Sequence, residues 1–268
     1  MFHSYRTTLA AAALALALPA AALAQTPIGN LHCNDATGVT LMNHQPVTIR
    51  GIVTAQNPTG TATRMYVQDG TGGVNVFGGA TRYCGNVGDD VTVTGIVQQF
   101  NGLVEVDSAS MTVTLNSAGN PTPAPLIMSV AQVGQTYNMG TNCEPNEARL
   151  VTAINGILRT TAGALPPATY ASNGNYHLEN YGPDSLTNFT TVFIAANGNG
   201  CNASPLVGAA ISKTVVCVTG VLSQFQSGAG PYTSGYEIIP RFVADITANC
   251  AATPAPIRSW GELRRIYR

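Results

Sequence analysis

Val87-Gly88-Asp89-Asp90-Val91-Thr92-Val93-Thr94-Gly95-Ile96-Val97-Gln98-Gln99-Phe100-Asn101-Gly102-Leu103-Val104-Glu105-Val106 reads as a turn, a strand, a tight loop and a second strand. Val91, Val93 and Gly95 fall on one face, Thr92 and Thr94 on the other, which is the period-2 alternation of a half-buried strand. Asn101 and Gly102 both tolerate positive φ, so Asn101-Gly102 between two apolar runs signals a hairpin. Nearly the same wording returns at 213–228, from Lys213-Thr214-Val215-Val216 to Phe225-Gln226-Ser227-Gly228. A chain that writes one unit twice contains two copies of one small β-domain.

Around the first copy lie Val47 to Thr54, with Gly51 expected at a bulge or bend, and a hairpin of Met65–Gln68 and Val74–Phe77. Met111 to Leu115 closes the unit. Short strands with glycine at the bends suit a closed barrel of the OB type, which also removes exposed edges. In the second copy, Ile154–Leu158 matches Ile49–Val53, Tyr176–Asn180 takes the place of Tyr66–Asp69, and Tyr236–Pro240 that of Leu103–Asp107. The expected fold is all-β: two tandem five-stranded Greek-key OB barrels, joined by a proline-rich linker carrying a short helix over 126–135 capped by Ser129. The expected divisions are a signal peptide at 1–24, a first domain at 25–116, the linker at 117–142, a second domain at 143–250 and a basic tail at 251–268.

Arg6, the apolar run Leu9 to Leu18 and Ala22-Leu23-Ala24 make up a secretory leader, too short to span a bilayer. The expected location is therefore periplasmic or extracellular. The six cysteines all follow it, an even number suited to disulfides in an oxidising compartment. Equivalent places in the two copies suggest Cys33 with Cys84 and Cys143 with Cys201, leaving Cys217 with Cys250. The tail carries Arg258, Arg264, Arg265, Arg268 and the single tryptophan, Trp260. It reads either as a short basic amphipathic helix or as a disordered end.

The words Thr48-Ile49-Arg50-Gly51-Ile52-Val53-Thr54-Ala55, the stretch 66–78 and the stretch 87–107 resemble the OB-fold domains that accompany secreted bacterial nucleases and lamin-tail proteins. The resemblance covers the first copy fully and the second loosely. It implies an accessory module that binds nucleic acid beside a catalytic domain, and no catalytic domain is expected within this sequence. The tail is similar to short C-terminal tags of exported bacterial proteins, which implies a sorting or cell-surface partner.

No HExxH, GxSxG or P-loop occurs, and His32, His44 and His177 have no carboxylate or cysteine partner at ligand spacing. Gly70-Thr71-Gly72-Gly73 joins two strands and reads as a turn, as does Asp89-Asp90. Glu105 and Asp107 share a strand face and read as solvated. No enzyme, no metal and no cofactor is expected.

Binding is expected on the outward face of strands 2 and 3: Arg64, Tyr66, Gln68, Asn75 and Phe77, with Tyr176 and Phe193 in the second copy. The arginine and aromatics suit stacked bases or sugars. Equally, Tyr66 and Phe77 suit packing under a loop or against the other domain. Phe100 and Phe225, each just before a hairpin turn, read as minor-core plugs. Between residues 25 and 254 acids outnumber cations, which limits phosphate-driven affinity. Two readings stand: a binding module for single-stranded nucleic acid or an oligosaccharide, and a structural surface-interaction protein.

Overall fold

Asn101 and Gly102 take φ of 51° and 95°, the pair of positive values the hairpin requires. The structure is a computed structural model that describes residues 24–56, 63–78, 83–181, 189–198, 201–248 and 250. Residues 1–23 of the leader expected at 1–24, and the whole tail expected at 251–268, lie outside the described residues. β1 (Pro46–Gln56), β2 (Thr63–Gln68), β3 (Gly73–Gly78), β4 (Asp90–Phe100) and β5 (Leu103–Ser117) close into a barrel in the order β1-β2-β3-β5-β4. Val91, Val93 and Val97 of β4 face its core beside Ile49, Met65 and Val76, and Ile28 and Leu31 of a 3-10 turn plug one end.

Two local expectations are corrected. The bulge in β1 falls between Val53 and Ala55, not at Gly51. Gly51 is needed for a close approach instead, since a Cβ there would sit 2.6 Å from the Gln68 carbonyl oxygen. Met111–Leu115 is not a separate strand; it is the far half of β5, which slips register where Thr94 and Ile96 of β4 face Thr112 and Asp107.

The second barrel repeats the first. β6 (Leu126–Ser129) and α1 (Val130–Gly134) precede β7 (Leu150–Thr160), β8 (Gly174–Asn180), β9 (Phe189–Ile194), β10 (Val215–Gln224), β11 (Tyr236–Ile239) and β12 (Ile246–Ala248). β7, β8, β9, β11 and β10 close through the β10–β7 pairing, while β6 and β12 extend the sheet beyond. β9–β11 is parallel, as β3–β5 is, so the duplication extends to strand direction. These are tandem five-stranded OB barrels. The stretch read as a linker supplies β6 and α1. Ser129 and Gln132 form a reciprocal capping box, and Val130 and Val133 enter the second core.

The outward face of β2 and β3 is where the barrels meet. Tyr66, Gln68 and Asn75 are all buried there. Tyr66 packs among Ala148, Leu150, Ala195, Val221 and Ile239. Its hydroxyl lies 2.9 Å from Ser223 Oγ, and the Leu150 amide donates to Gln68 Oε1 at 2.9 Å. Gly73 leaves room for the Ala148 carbonyl, which any Cβ there would overlap.

The disulfides cross the same seam. Cys33 bonds Cys143 and Cys84 bonds Cys201, which corrects the expected pairing of each barrel with itself; Cys217–Cys250 is as expected. Segments 32–34 and 142–144 run side by side across the junction. The Asn34 amide donates to the Asn142 carbonyl and the Glu144 amide to the His32 carbonyl, each at 2.8 Å. Equivalence between repeats does not decide pairing when the repeats dock on each other.

A buried ionic cluster fills this seam. Glu144 and Glu147 are 0% exposed and His32 is 1% exposed. His32 Nδ1 lies 2.9 Å from Glu147 Oε2, and Nε2 donates to the Gly73 carbonyl at 2.5 Å. A carbonyl only accepts, so the Nε2 proton is fixed, and a second proton is shared between Nδ1 and Glu147. The Val104 amide donates to Glu147 Oε1 at 3.0 Å; Asn34 and the Tyr236 hydroxyl donate to Glu144. Burial alone would lower the His32 pKa, but the hydrogen bond and charge of Glu147 outweigh it and raise it. Burial and the Glu147 charge push Glu144 up to about 8.

Both groups hold protons more tightly folded than unfolded, so they favour folding at low pH and the benefit fades as pH rises. Asp69 and Asp90 have lowered values, one from Thr71 and backbone amides against its burial, the other chiefly from Arg50. They lose their contribution below the ordinary aspartate range. Urea unfolding is expected to show maximal stability near pH 5 and a falling midpoint between about pH 5 and 8. A midpoint rising over that interval contradicts the assignment.

Candidate binding cleft

Beyond the covered patch, Arg64 faces Phe77 one pair from the end of the β2–β3 ladder. The alternation that puts Tyr66 and Asn75 in the seam puts Arg64 and Phe77 on the same outward face, at its open end. The β4–β5 hairpin rises beside them, bringing Gln98, Gln99 and Phe100 on one strand and Glu105 and Asp107 on the other. Together these residues line a cleft of about 350 Å³.

Glu105 is buried, which corrects its reading as solvated: Asn75, inside the seam, donates to Glu105 Oε1 at 2.6 Å. Burial pushes Glu105 up to about 7, against the pull of Asn75 and Arg64. Across the seam, burial likewise pushes Glu237 of β11 to about 7, again moderated by Arg64. Burial also raises Asp107. Arg64 therefore balances carboxyls from both barrels, and its Nε has no hydrogen-bond partner among the described residues. Phe100 is 59% exposed and Phe225 54%, so neither is a core plug.

The expected site residues divide. Arg64 and Phe77 line the cleft, while Tyr66, Gln68 and Asn75 lie under the second barrel. Tyr176 points into the second core, edge-on to Tyr170 with ring centroids 5.3 Å apart, and Phe193 packs against the seam. The proposed match between copies is off by one. Tyr176 and Leu178 occupy core places like Met65 and Val67, so His177 stands where Tyr66 does. A one-residue slip reverses every side chain on a strand. His177 stacks on Phe189 at 3.9 Å and 18°, on the outer side of β8 and β9. The inward alternation of Tyr176, Leu178, Val192 and Ile194 was the available signal for this register.

The turn reading holds for the 69–72 loop and for Asp89, which closes the turn 86–89, whereas Asp90 begins β4. Asp69 Oδ1 accepts from the Thr71 and Gly72 amides. Asp89 Oδ2 accepts from Tyr83 and the Asn86 amide, and Asp90 pairs with Arg50 at 2.7 Å. Among the described residues no three His, Cys, Asp or Glu side chains gather where an ion could sit. No helix among the described residues is long and apolar enough to cross a membrane.

No family model matches the chain. It is 26% identical over 227 residues, 83% of its length, to Endonuclease YhcR of Bacillus subtilis (strain 168), and spans 16% of that protein. Among solved structures, an asparaginyl-tRNA synthetase from Pyrococcus horikoshii superposes over 31% of this chain and 22% of its own, at 20% identity and a TM-score of 0.27. The same enzyme complexed with asparaginyl-adenylate superposes over 37% and 24%, at 19% identity and a TM-score of 0.28.

Proposed function

We propose that this chain is a non-catalytic, exported binding module whose cleft on the first barrel takes single-stranded nucleic acid by its bases. The observation that carries this is the cleft itself: Phe77 and Phe100 as stacking surfaces, Gln98 as an amide partner, and Arg64 as the cation. Every base has a π-face, so such a site tolerates sequence. The similarity to part of an endonuclease supports nucleic acid as the ligand class. Three disulfides support an oxidising location.

Fluorescence anisotropy with a short labelled oligonucleotide tests the reading. Phe77→Ala is expected to lower affinity about 5- to 150-fold, the range of one lost stacking contact. Salt dependence is expected to be shallow, near the slope of about −0.7 for one phosphate contact, because Arg64 is the cleft's cation. Affinity is also expected to fall from pH 6 to 8 as Glu105 and Glu237 gain charge beside an anionic chain. Unaltered binding in the Phe77 variant overturns the site. A second reading, an oligosaccharide, is favoured by Glu105 and Asp107 on the cleft wall. A neutral glycan would bind with no salt dependence.

A further inference from the structure

Phe100 and Phe225 hold the same place in the two copies, before the turn of the corresponding strand pair, and both rings are exposed. The docking of the barrels brings their loops together: the Gln226 amide donates to the Asn101 carbonyl at 2.7 Å. Chain neighbours of two residues so bonded lie within about 13 Å of one another, given about 3.8 Å per Cα step and about 5 Å across the bond.

The backbone under both rings is held firmly. Gln226 Oε1 accepts from the Thr233 and Ser234 amides and the Ser234 hydroxyl, at 3.1, 3.0 and 2.9 Å, while Nε2 donates to the Pro231 carbonyl at 2.7 Å. The Phe225 amide donates to the Gly235 carbonyl at 2.8 Å. On the other side, Gln99 Nε2 donates to the Gly102 and Gly38 carbonyls, at 2.6 and 2.8 Å. Gln224 packs so closely on Gly102 that a Cβ there would lie 2.6 Å from its amide carbon. Large aromatic rings held in water by rigid loops gain nothing inside the protein and are poised for a partner's flat faces.

We propose that Phe100 and Phe225 form a two-ring platform that carries a single-stranded nucleic acid out of the cleft of the first barrel and onto the second. Phe100 belongs to both cleft and platform, so the track is continuous. The inference rests on the cleft reading above and adds to it: the ligand is a chain longer than the cleft, and the seam sets the angle at which it runs.

The test is anisotropy titration of the full chain with a labelled dinucleotide and a longer labelled oligonucleotide, using Phe77→Ala and Phe225→Ala. Phe225→Ala is expected to weaken the long ligand at least about 5-fold while leaving the dinucleotide unchanged. Phe77→Ala is expected to weaken both. If Phe225→Ala leaves both lengths unchanged while Phe77→Ala weakens both, the platform is overturned and the cleft stands. If neither oligonucleotide binds the unaltered protein, the cleft reading falls, and the platform with it. Phe225 is surface-exposed, and an unchanged thermal midpoint confirms that its variant is folded.

Discussion

Replacing Glu147 by alanine is expected to lower the free energy of unfolding by about 3–5 kcal/mol, because it leaves a buried partner uncompensated. Glu147 holds His32 with one oxygen and the Val104 amide with the other, and both ionic side chains are sealed from solvent between the barrels. Without it, the second His32 proton loses its acceptor, and a buried cation without a partner is costly. The comparison that isolates the effect is Asp90→Ala. Asp90 pairs with Arg50 at a similar distance, but the Arg50 side chain is 49% exposed, so water screens the pair and its loss is expected to cost far less. Chemical denaturation of both variants reads the contrast. Near-equal losses would show that the seam is wet, not sealed.

Removing a seam-crossing disulfide, as in Cys84→Ser with Cys201→Ser, is expected to cost about 2–5 kcal/mol. Cys33–Cys143 and Cys84–Cys201 link positions 110 and 117 residues apart, so each restrains the unfolded chain over a loop as long as a domain. Cys217–Cys250 spans 33 residues inside one barrel, and the chain-entropy relation gives it about 1 kcal/mol less. Calorimetry of the paired variants checks both the size and the order. Greater loss from the Cys217–Cys250 variant would reverse the account, since the barrels would then be held by packing alone.

What the sequence could show follows from how local each signal is. The β4–β5 hairpin, its alternation, the Asn101-Gly102 turn and the Ser129 cap depend on neighbours a few residues away, and all appear as read. The covered face does not. Tyr66, Gln68 and Asn75 alternate outward in a pattern that suits either a ligand or a second barrel. Their actual partners, Ser223, the Leu150 amide and Glu105, lie far off in the chain. Glu144 and Glu147 likewise look like surface charges, since nothing beside them announces that His32, Asn34 and Tyr236 will enclose them. The seam also explains why only Arg64 and Phe77 of the expected first-barrel face remain in an open cleft.

Every part of this account, from the sealed Glu147 to the exposed end of β2 and β3, requires the barrels to dock through that face. Proteolysis of the unreduced protein followed by mass spectrometry of the linked peptides tests it most directly. The docked arrangement predicts peptides joining Cys33 to Cys143 and Cys84 to Cys201. Peptides joining Cys33 to Cys84 and Cys143 to Cys201 would mean that each barrel closes on itself, and would contradict it.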